Sequence, residues 1–288
     1  MDITEKIAEE LGIRKNQAQA AIQLIDEGNT IPFIARYRKE ATGALNDEIL
    51  RNLFDRLTYL RNLEEKKEQV IASIEEQGKL TDELRKQIEE AQTLVVVDDL
   101  YRPYRPKRRT RATIAKEKGL EPLANVISLQ MLKTPILEEA AKYINEEKEV
   151  ASVADAIAGA KDIIAEHISD EADYRIRIRD LTVKHGRIVS AAKDPETESV
   201  YEMYYDFDEP IAKMAGHRTL ALNRGEAEKV LTVKVNAPEE RILRYLEKKL
   251  ITKENEYTTP VICAAVEDSY DRLIAPAIER EIRNDLTE

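Results

Sequence analysis

The stretch from Asn46 to Gly78, NDEILRNLFDRLTYLRNLEEKKEQVIASIEEQG, decides the fold class. Leu50, Leu53, Leu57, Leu60 and Leu63, with Val70 and Ile74 beyond, recur at spacings of three and four, which is one stripe of an α-helix. Asn46 or Asp47 is a good N-cap, and Gly78 suits a C-terminal stop. A helix of about 30 residues spans about 45 Å at about 1.5 Å per residue. The segment EEKKEQ, Glu64 to Gln69, holds no apolar side chain, so the middle of the helix is expected to project into solvent. Thr81 caps a second helix, whose acids Asp82 and Glu83 suit the positive end of its dipole; together the two predict an antiparallel hairpin.

Upstream, Ile3, Ile7 and Leu11 form one helical stripe, and Ala18, Ala21, Ile22 and Ile25 form another before Gly28. Helix, short turn, helix is the outline of a helix-turn-helix. Pro32 is expected to interrupt the chain, and the residues after it mix Phe33 and Ile34 with Arg36, Arg38 and Lys39. Downstream, Leu94 to Val97 suits a short strand or a helix end. Ser152 and Asp155 form a cap signature ahead of Ile157, Ile163, Ile164 and Ile168. Asp173 to Lys184 is ambiguous, because RIRIR alternates like a strand while Tyr174, Ile178 and Leu181 suit a helix. Lys229 to Val235, KVLTVKV, is the best strand candidate, and Pro238 starts a further helix. The last stretch, from Pro260, is helical with a bend at Pro276. The expectation is a mainly α, multihelical protein with a helix-turn-helix-like start and at most a few short strands. Residues 1–119 would form a first lobe and 120–288 a second.

Composition agrees. Of 288 residues, 35% are charged and only nine are glycine, which suits solvated helices and argues against a turn-rich all-β fold. The single cysteine, Cys263, excludes an intramolecular disulfide and a thiolate metal site; it lies among apolar neighbours as a small core residue. No stretch approaches the roughly 20 apolar residues of a membrane span, and the start lacks the apolar core of a signal peptide. The expected location is the cytoplasm.

The chain's formal net charge is −11, yet Tyr101 to Lys118 carries eight basic residues against one acid, Glu117. Tyr101 and Tyr104 interleave with Arg102 and Arg105; Lys107, Arg108, Arg109 and Arg111 follow; Pro103 and Pro106 forbid a continuous helix. Cations neutralise phosphates and release counterions, and tyrosines stack on unpaired bases. The same guanidinium forks suit carboxylates, so the run reads equally as an internal lace onto acidic helices.

Catalytic patterns are sparse. There is no Gly-x-Ser-x-Gly elbow, no HExxH and no glycine-rich phosphate loop. His167 falls on a helical stripe as a packed or rim residue. Asp98 and Asp99 follow three valines and could bind Mg²⁺ at a strand end, but adjacent strand residues point to opposite faces. Turn formation and pairing with the arginines explain them better.

Three segments carry a resemblance. TIPFIARYRKEATGALND (30–47), VDDLYRPYRPKRRTRATIAKEKGLEPLA (97–124) and HRTLALNRGE (217–226) look like the hallmark segments of the bacterial Tex family of transcription accessory proteins, and the likeness covers essentially the whole chain. It implies a bilobed multihelical region with a helix-turn-helix-like part, related to the core of a eukaryotic transcription elongation factor and histone chaperone. Full-length members are implied to continue with an RNase H-like domain, helix-hairpin-helix units and an OB-fold RNA-binding domain, so this sequence would stop ahead of them. The main nucleic-acid contact is implied to lie in those later domains. No enzymatic activity, cofactor or catalytic residue is implied.

The resulting expectation is a scaffold region of a transcription-associated RNA-binding protein. Its candidate nucleic-acid residues are Tyr101, Arg102, Tyr104, Arg105, Lys107, Arg108, Arg109, Arg111, Arg36, Arg38 and Lys39. The partners expected are RNA or DNA and the transcription machinery, with no membrane, no metal and no cofactor. The alternatives are a protein-interaction scaffold that touches no nucleic acid and a metal-dependent nuclease using Asp98 and Asp99.

Overall fold

Two short helices, α1 (Ile3–Leu11) and α2 (Lys15–Asp26), meet at Gly12, whose φ of +65° lies in the left-handed region open to glycine. In α3 (Ile31–Tyr37), Pro32 begins the helix instead of interrupting the chain. Thr30 caps it, accepting the Phe33 N–H at 3.3 Å, and a proline in the first turn forgoes no intrahelical bond. The single turn α4 (Lys39–Thr42) leads into α5 (Asp47–Glu76), capped by the Asn46 side chain at 2.8 Å from the Ile49 nitrogen.

The leucine stripe of α5 is buried along its whole length, together with Val70 and Ile74. Its charged middle faces solvent only in part: Glu65, Glu68 and Gln69 are exposed, but Lys67 continues the buried stripe. Lys67 is only 3% exposed, and its ammonium donates to the Glu89 carbonyl at 2.7 Å and lies 3.3 Å from Glu64. Glu89 is near the C-terminus of α6 (Asp82–Glu90), itself capped by Thr81. The lysine stem fills the apolar groove while its charge meets the carbonyl end of the α6 dipole. Leu94–Tyr101 forms a helix, α7, in place of a strand, and Val97 and Leu100 point into the core. Two forks tie α5 to the N-terminal pair. Arg56 bonds Glu10 at 2.6 and 2.9 Å, and Arg61 bonds Asp26 at 2.7 and 2.9 Å. Each arginine holds its carboxylate below the ordinary range.

The computed structural model describes residues 1–288, which divide into two units, Met1–Tyr101 and Arg102–Glu288. The division falls at the head of the basic run and not after Gly119, because the helix that follows the run packs within the second unit. That helix, α8 (Arg111–Glu117), starts at Thr110 and lies along α11 (Val153–Asp170); between them in sequence come α9 (Glu121–Leu129) and α10 (Ile136–Ala141). Small residues set the approach: Ala112 and Ala115 on α8 and Ala156 and Ala160 on α11 are buried. A Cβ on Gly159 would come within 2.3 Å of Leu120.

Asp173 to Lys184 resolves as helix, within α12 (Ala172–His185). Ile178 and Leu181 are buried as the helical period requires, and so is Arg175, which donates to the carbonyls of Ser169 and Leu273. Three strands follow: β1 (Arg187–Ala192), β2 (Asp206–Pro210) and, after α13 (Gly216–Ala227), β3 (Leu231–Asn236). They form an antiparallel sheet of order β2-β1-β3 with Ile188 opposite Glu209 and Val235. The expected strand at Lys229–Val235 is β3. α14 (Glu239–Leu250) and α15 (Thr259–Asp268) lead to a π-helical turn, Ser269–Ile274, and then α16 (Ala275–Thr287). The bend at Pro276 is thus taken up by a widened turn just ahead of it, with the proline in the first turn of α16. Cys263 is half-buried, and burial pushes its thiol up. No helix is long and apolar enough to cross a membrane.

Lys67→Ala is expected to destabilise the first unit by about 2 kcal/mol, since it leaves a cavity in the buried stripe and removes a charged hydrogen bond to a partly buried carbonyl; urea unfolding followed by circular dichroism measures it. Tyr270 is buried, and that burial pushes its hydroxyl up to about 12. Its contribution to stability is therefore complete below a pH of about 10, where the unfolded chain titrates, and is lost as the pH rises through about 12. Thermal melts of Tyr270→Phe should fall less steeply than those of the parent between those limits.

Candidate nucleic-acid interface

The basic run departs from helix early. A single 3-10 turn, Arg102–Tyr104, follows α7, and the path from Arg105 to Thr110 is non-helical, as Pro103 and Pro106 require. Helix resumes at Thr110, whose side chain accepts the Thr113 N–H while the Thr113 hydroxyl accepts the Thr110 N–H at 2.7 Å. This reciprocal cap fixes where α8 begins. The run is therefore a short strap closed at its far end by a capped helix, and that helix is held against α11.

Acids on α11 hold the strap itself. Glu166 and Asp170 are one turn apart on that helix. Lys107 reaches both, at 3.5 Å from Glu166 and in a close contact with Asp170, and Arg102 Nε lies 3.3 Å from Asp170. Asp170 is the last residue of α11, where a negative charge opposes the helix dipole, so the two cations offset a local penalty. The Arg102 contact is poorly aligned, and its buried Nε lacks a hydrogen-bond partner. A cleft of about 250 Å³ opens here, with Arg102, Arg105, Lys107 and Arg108 facing Glu166 and Asp170.

The remaining cations stand further out. Arg105, Arg108, Arg109 and Arg111 are exposed; the Arg109 side chain is 70% exposed and makes a 3.4 Å surface pair with Glu117. Arg111 opens α8, where a positive charge is disfavoured by the dipole. It lies in the field of Asp162 and Asp268, which Arg272 joins at 3.8 and 2.9 Å. Burial pushes the Asp162 carboxyl up, while the Arg272 hydrogen bond draws Asp268 down.

Most of the other predicted residues lie in the first unit. Tyr101 is half-buried and its hydroxyl bonds Ser73 at 2.9 Å; Tyr104, in the second unit, is also half-buried. Arg36, Arg38 and Lys39 are exposed on α3 and α4. Asp98 and Asp99 sit on a helix, not at a strand end: Asp98 is 3.5 Å from Lys66 and Asp99 is 3% exposed. His167 lies exposed at the rim of a separate cleft of about 260 Å³. Sequence reasoning missed Glu166 and Asp170 as partners of the run. Their i, i+4 spacing was visible, but their approach to residues about 60 positions away was not.

Three polar residues of the segment His217–Glu226 tie it to neighbouring elements. Arg218 bonds Glu209 at 2.7 Å, and Asn223 and Glu226 grip Arg283 on α16 at 2.8 and 2.9 Å.

Comparison with known proteins gives two family-model matches: the Tex-like protein N-terminal domain over residues 1–75 and the Tex central region-like domain over residues 133–288. The basic run lies between them. The chain is 48% identical to the Bacillus subtilis (strain 168) protein YdcI over 289 residues, covering 99% of this chain and 40% of that protein. It is 44% identical to the transcriptional accessory protein Tex of Neisseria gonorrhoeae over 262 residues, covering 89% of this chain and 33% of that one. To the human S1 RNA-binding domain-containing protein 1 it is 30% identical over 303 residues, covering 99% of this chain and 30% of that protein. The chain thus spans 30–40% of the length of these relatives.

If Asp170 anchors the strap, Asp170→Asn should speed tryptic cleavage between Arg102 and Arg109 roughly fivefold, the equivalent of about 1 kcal/mol of local opening for a partly exposed ion pair. Asp285→Asn, the same charge change at an exposed site on α16, should leave the rate unchanged.

Proposed function

This chain belongs to the Tex family, and from that membership we propose that it is a scaffold region of a transcription-associated RNA-binding protein. Its basic strap supplies a phosphate contact secondary to RNA-binding parts of the full-length relatives. The observation that carries this reading is the division of labour along the strap. Arg102 and Lys107 are committed to α11, while Arg108, Arg109 and Arg111 remain exposed around them. Fixed cations on an anchored segment can meet phosphates without the entropic cost of ordering a loop. The printed names of two relatives support the choice of ligand, one naming an S1 RNA-binding domain and the other a transcriptional accessory role. On this reading the chain is cytoplasmic and has no catalytic role. The acidic remainder of the chain repels polyanions, so the strap by itself binds weakly and its contact adds to a stronger one elsewhere.

A second reading draws on the pairs of Lys107 with Glu166 and Asp170 and of Arg109 with Glu117. There the strap is an internal lace, and the acidic helices meet protein partners of the transcription machinery.

Fluorescence anisotropy of the chain with single-stranded RNA across a salt series separates the two. Changing Arg105, Arg108, Arg109 and Arg111 together to Ala should weaken binding and flatten the salt slope by roughly 0.7 for each phosphate no longer neutralised. Circular dichroism of the variant should match the parent, since all four side chains are exposed. Equal binding and slope in both proteins would leave only the lace.

A further inference from the structure

Helix α3 carries a feature that the strap does not explain. Its buried side is Ile34, which is fully inaccessible, and the helix packs on α2 and α5. Beside that buried side the helix presents Phe33 and Tyr37, one turn apart, with ring centroids 5.2 Å from each other and an interplanar angle of 46°. Phe33 is 38% exposed and Tyr37 59%. Arg36 sits over the Tyr37 ring at 5.9 Å and Arg38 over the Phe33 ring at 5.8 Å; Lys39 follows, also exposed. The one acid paired with this group is Glu40, 3.8 Å from Arg38 and largely solvated.

Neither ring is buried in the core, and the surface each leaves in water carries a cost that further burial would remove. Rings flanked by guanidinium groups have a natural occupant. Unpaired bases stack on aromatic faces and on guanidinium planes, while the same cations meet the connecting phosphates. A duplex cannot use such a surface, because its bases are already stacked on one another. An acidic peptide would satisfy the cations but leave the rings unused. The rigid cap at Thr30 and the anchor at Ile34 present the group without a disorder-to-order cost.

We infer that Phe33 and Tyr37, flanked by Arg36, Arg38 and Lys39, form a base-stacking platform for single-stranded RNA on the first unit. Its choice of RNA rests on the function proposed above, but its residues are separate from those of the strap.

The 288-residue chain contains no tryptophan, so Tyr37→Trp installs a single reporter on the platform. Its emission should be quenched on titration with an oligouridylate and unchanged with a duplex DNA of equal charge. The double variant Phe33→Ala, Tyr37→Ala should bind the oligouridylate roughly fivefold or more weakly for each ring removed, with an unchanged salt slope, because rings release no counterions. Arg36→Ala with Arg38→Ala should instead flatten that slope. Unquenched emission at saturating RNA, or parental affinity in the double ring variant, overturns the platform. Loss of binding in the strap variant alone, with the ring variant unaffected, also overturns it and leaves the strap reading intact. Loss in the ring variant alone upholds the platform and removes the strap.

Discussion

The close approach of α8 to α11 governs most of what is distinctive in the second unit. It depends on the alanines that line both helices, Ala112 and Ala115 against Ala156 and Ala160, and on Gly159, where a Cβ would stand 3.4 Å from Ala115 and 2.3 Å from the Leu120 side chain just beyond α8. Backbones that come this close leave little room for rotation, and interiors packed at this density transmit displacement instead of absorbing it. The placement of α8 decides where its N-terminus lies, and with it the strap that precedes Thr110. The strap then meets the last turn of α11, where Glu166 and Asp170 are waiting.

The electrostatics follow from that placement. Asp170 and Arg111 each sit at a helix end whose dipole disfavours their sign, and each is compensated by charges from another element. The second unit tolerates an unusually dense basic run because acids of α11 neutralise its inner members, while the outer ones are exposed to water. In the first unit the same logic works at shorter range. Lys67 is buried at the carbonyl end of α6, and the forks Arg56–Glu10 and Arg61–Asp26 join α5 to its neighbours. Charged side chains are used here as connectors between helices that share few large aromatic contacts, as a composition of only 5% aromatic residues requires.

Much of this was legible in the residues. The caps at Asn46, Thr81 and Ser152, the stripe of α5 and the strand at β3 depend on local chemistry and were readable from spacing. The strands β1 and β2 were not. Arg187–Ala192 has little β-branched character beyond Ile188 and Val189, and Asp206–Pro210 is an acidic edge strand; each is a strand because the other pairs with it. Pro32 misled because proline breaks a helix interior but starts a helix well. Lys67 misled because a charged side chain can bury its stem. The candidate residues from Arg102 to Arg111 were visible as a cluster, but their division into inner and outer members was not.

By itself the sequence determined that the chain is mainly helical, where the helices capped at Asn46, Thr81 and Ser152 begin, that one basic run interrupts an acidic chain, and that the run cannot be helix throughout. These follow from side-chain period, capping groups and proline, which act within a few residues. Only the tertiary structure decided that Lys107 and Arg102 face Asp170, that Lys67 is buried, and that Phe33 and Tyr37 are left in water beside two arginines. Those outcomes depend on which helices come together. That is set by summed packing over residues far apart in the chain, and no local pattern encodes it.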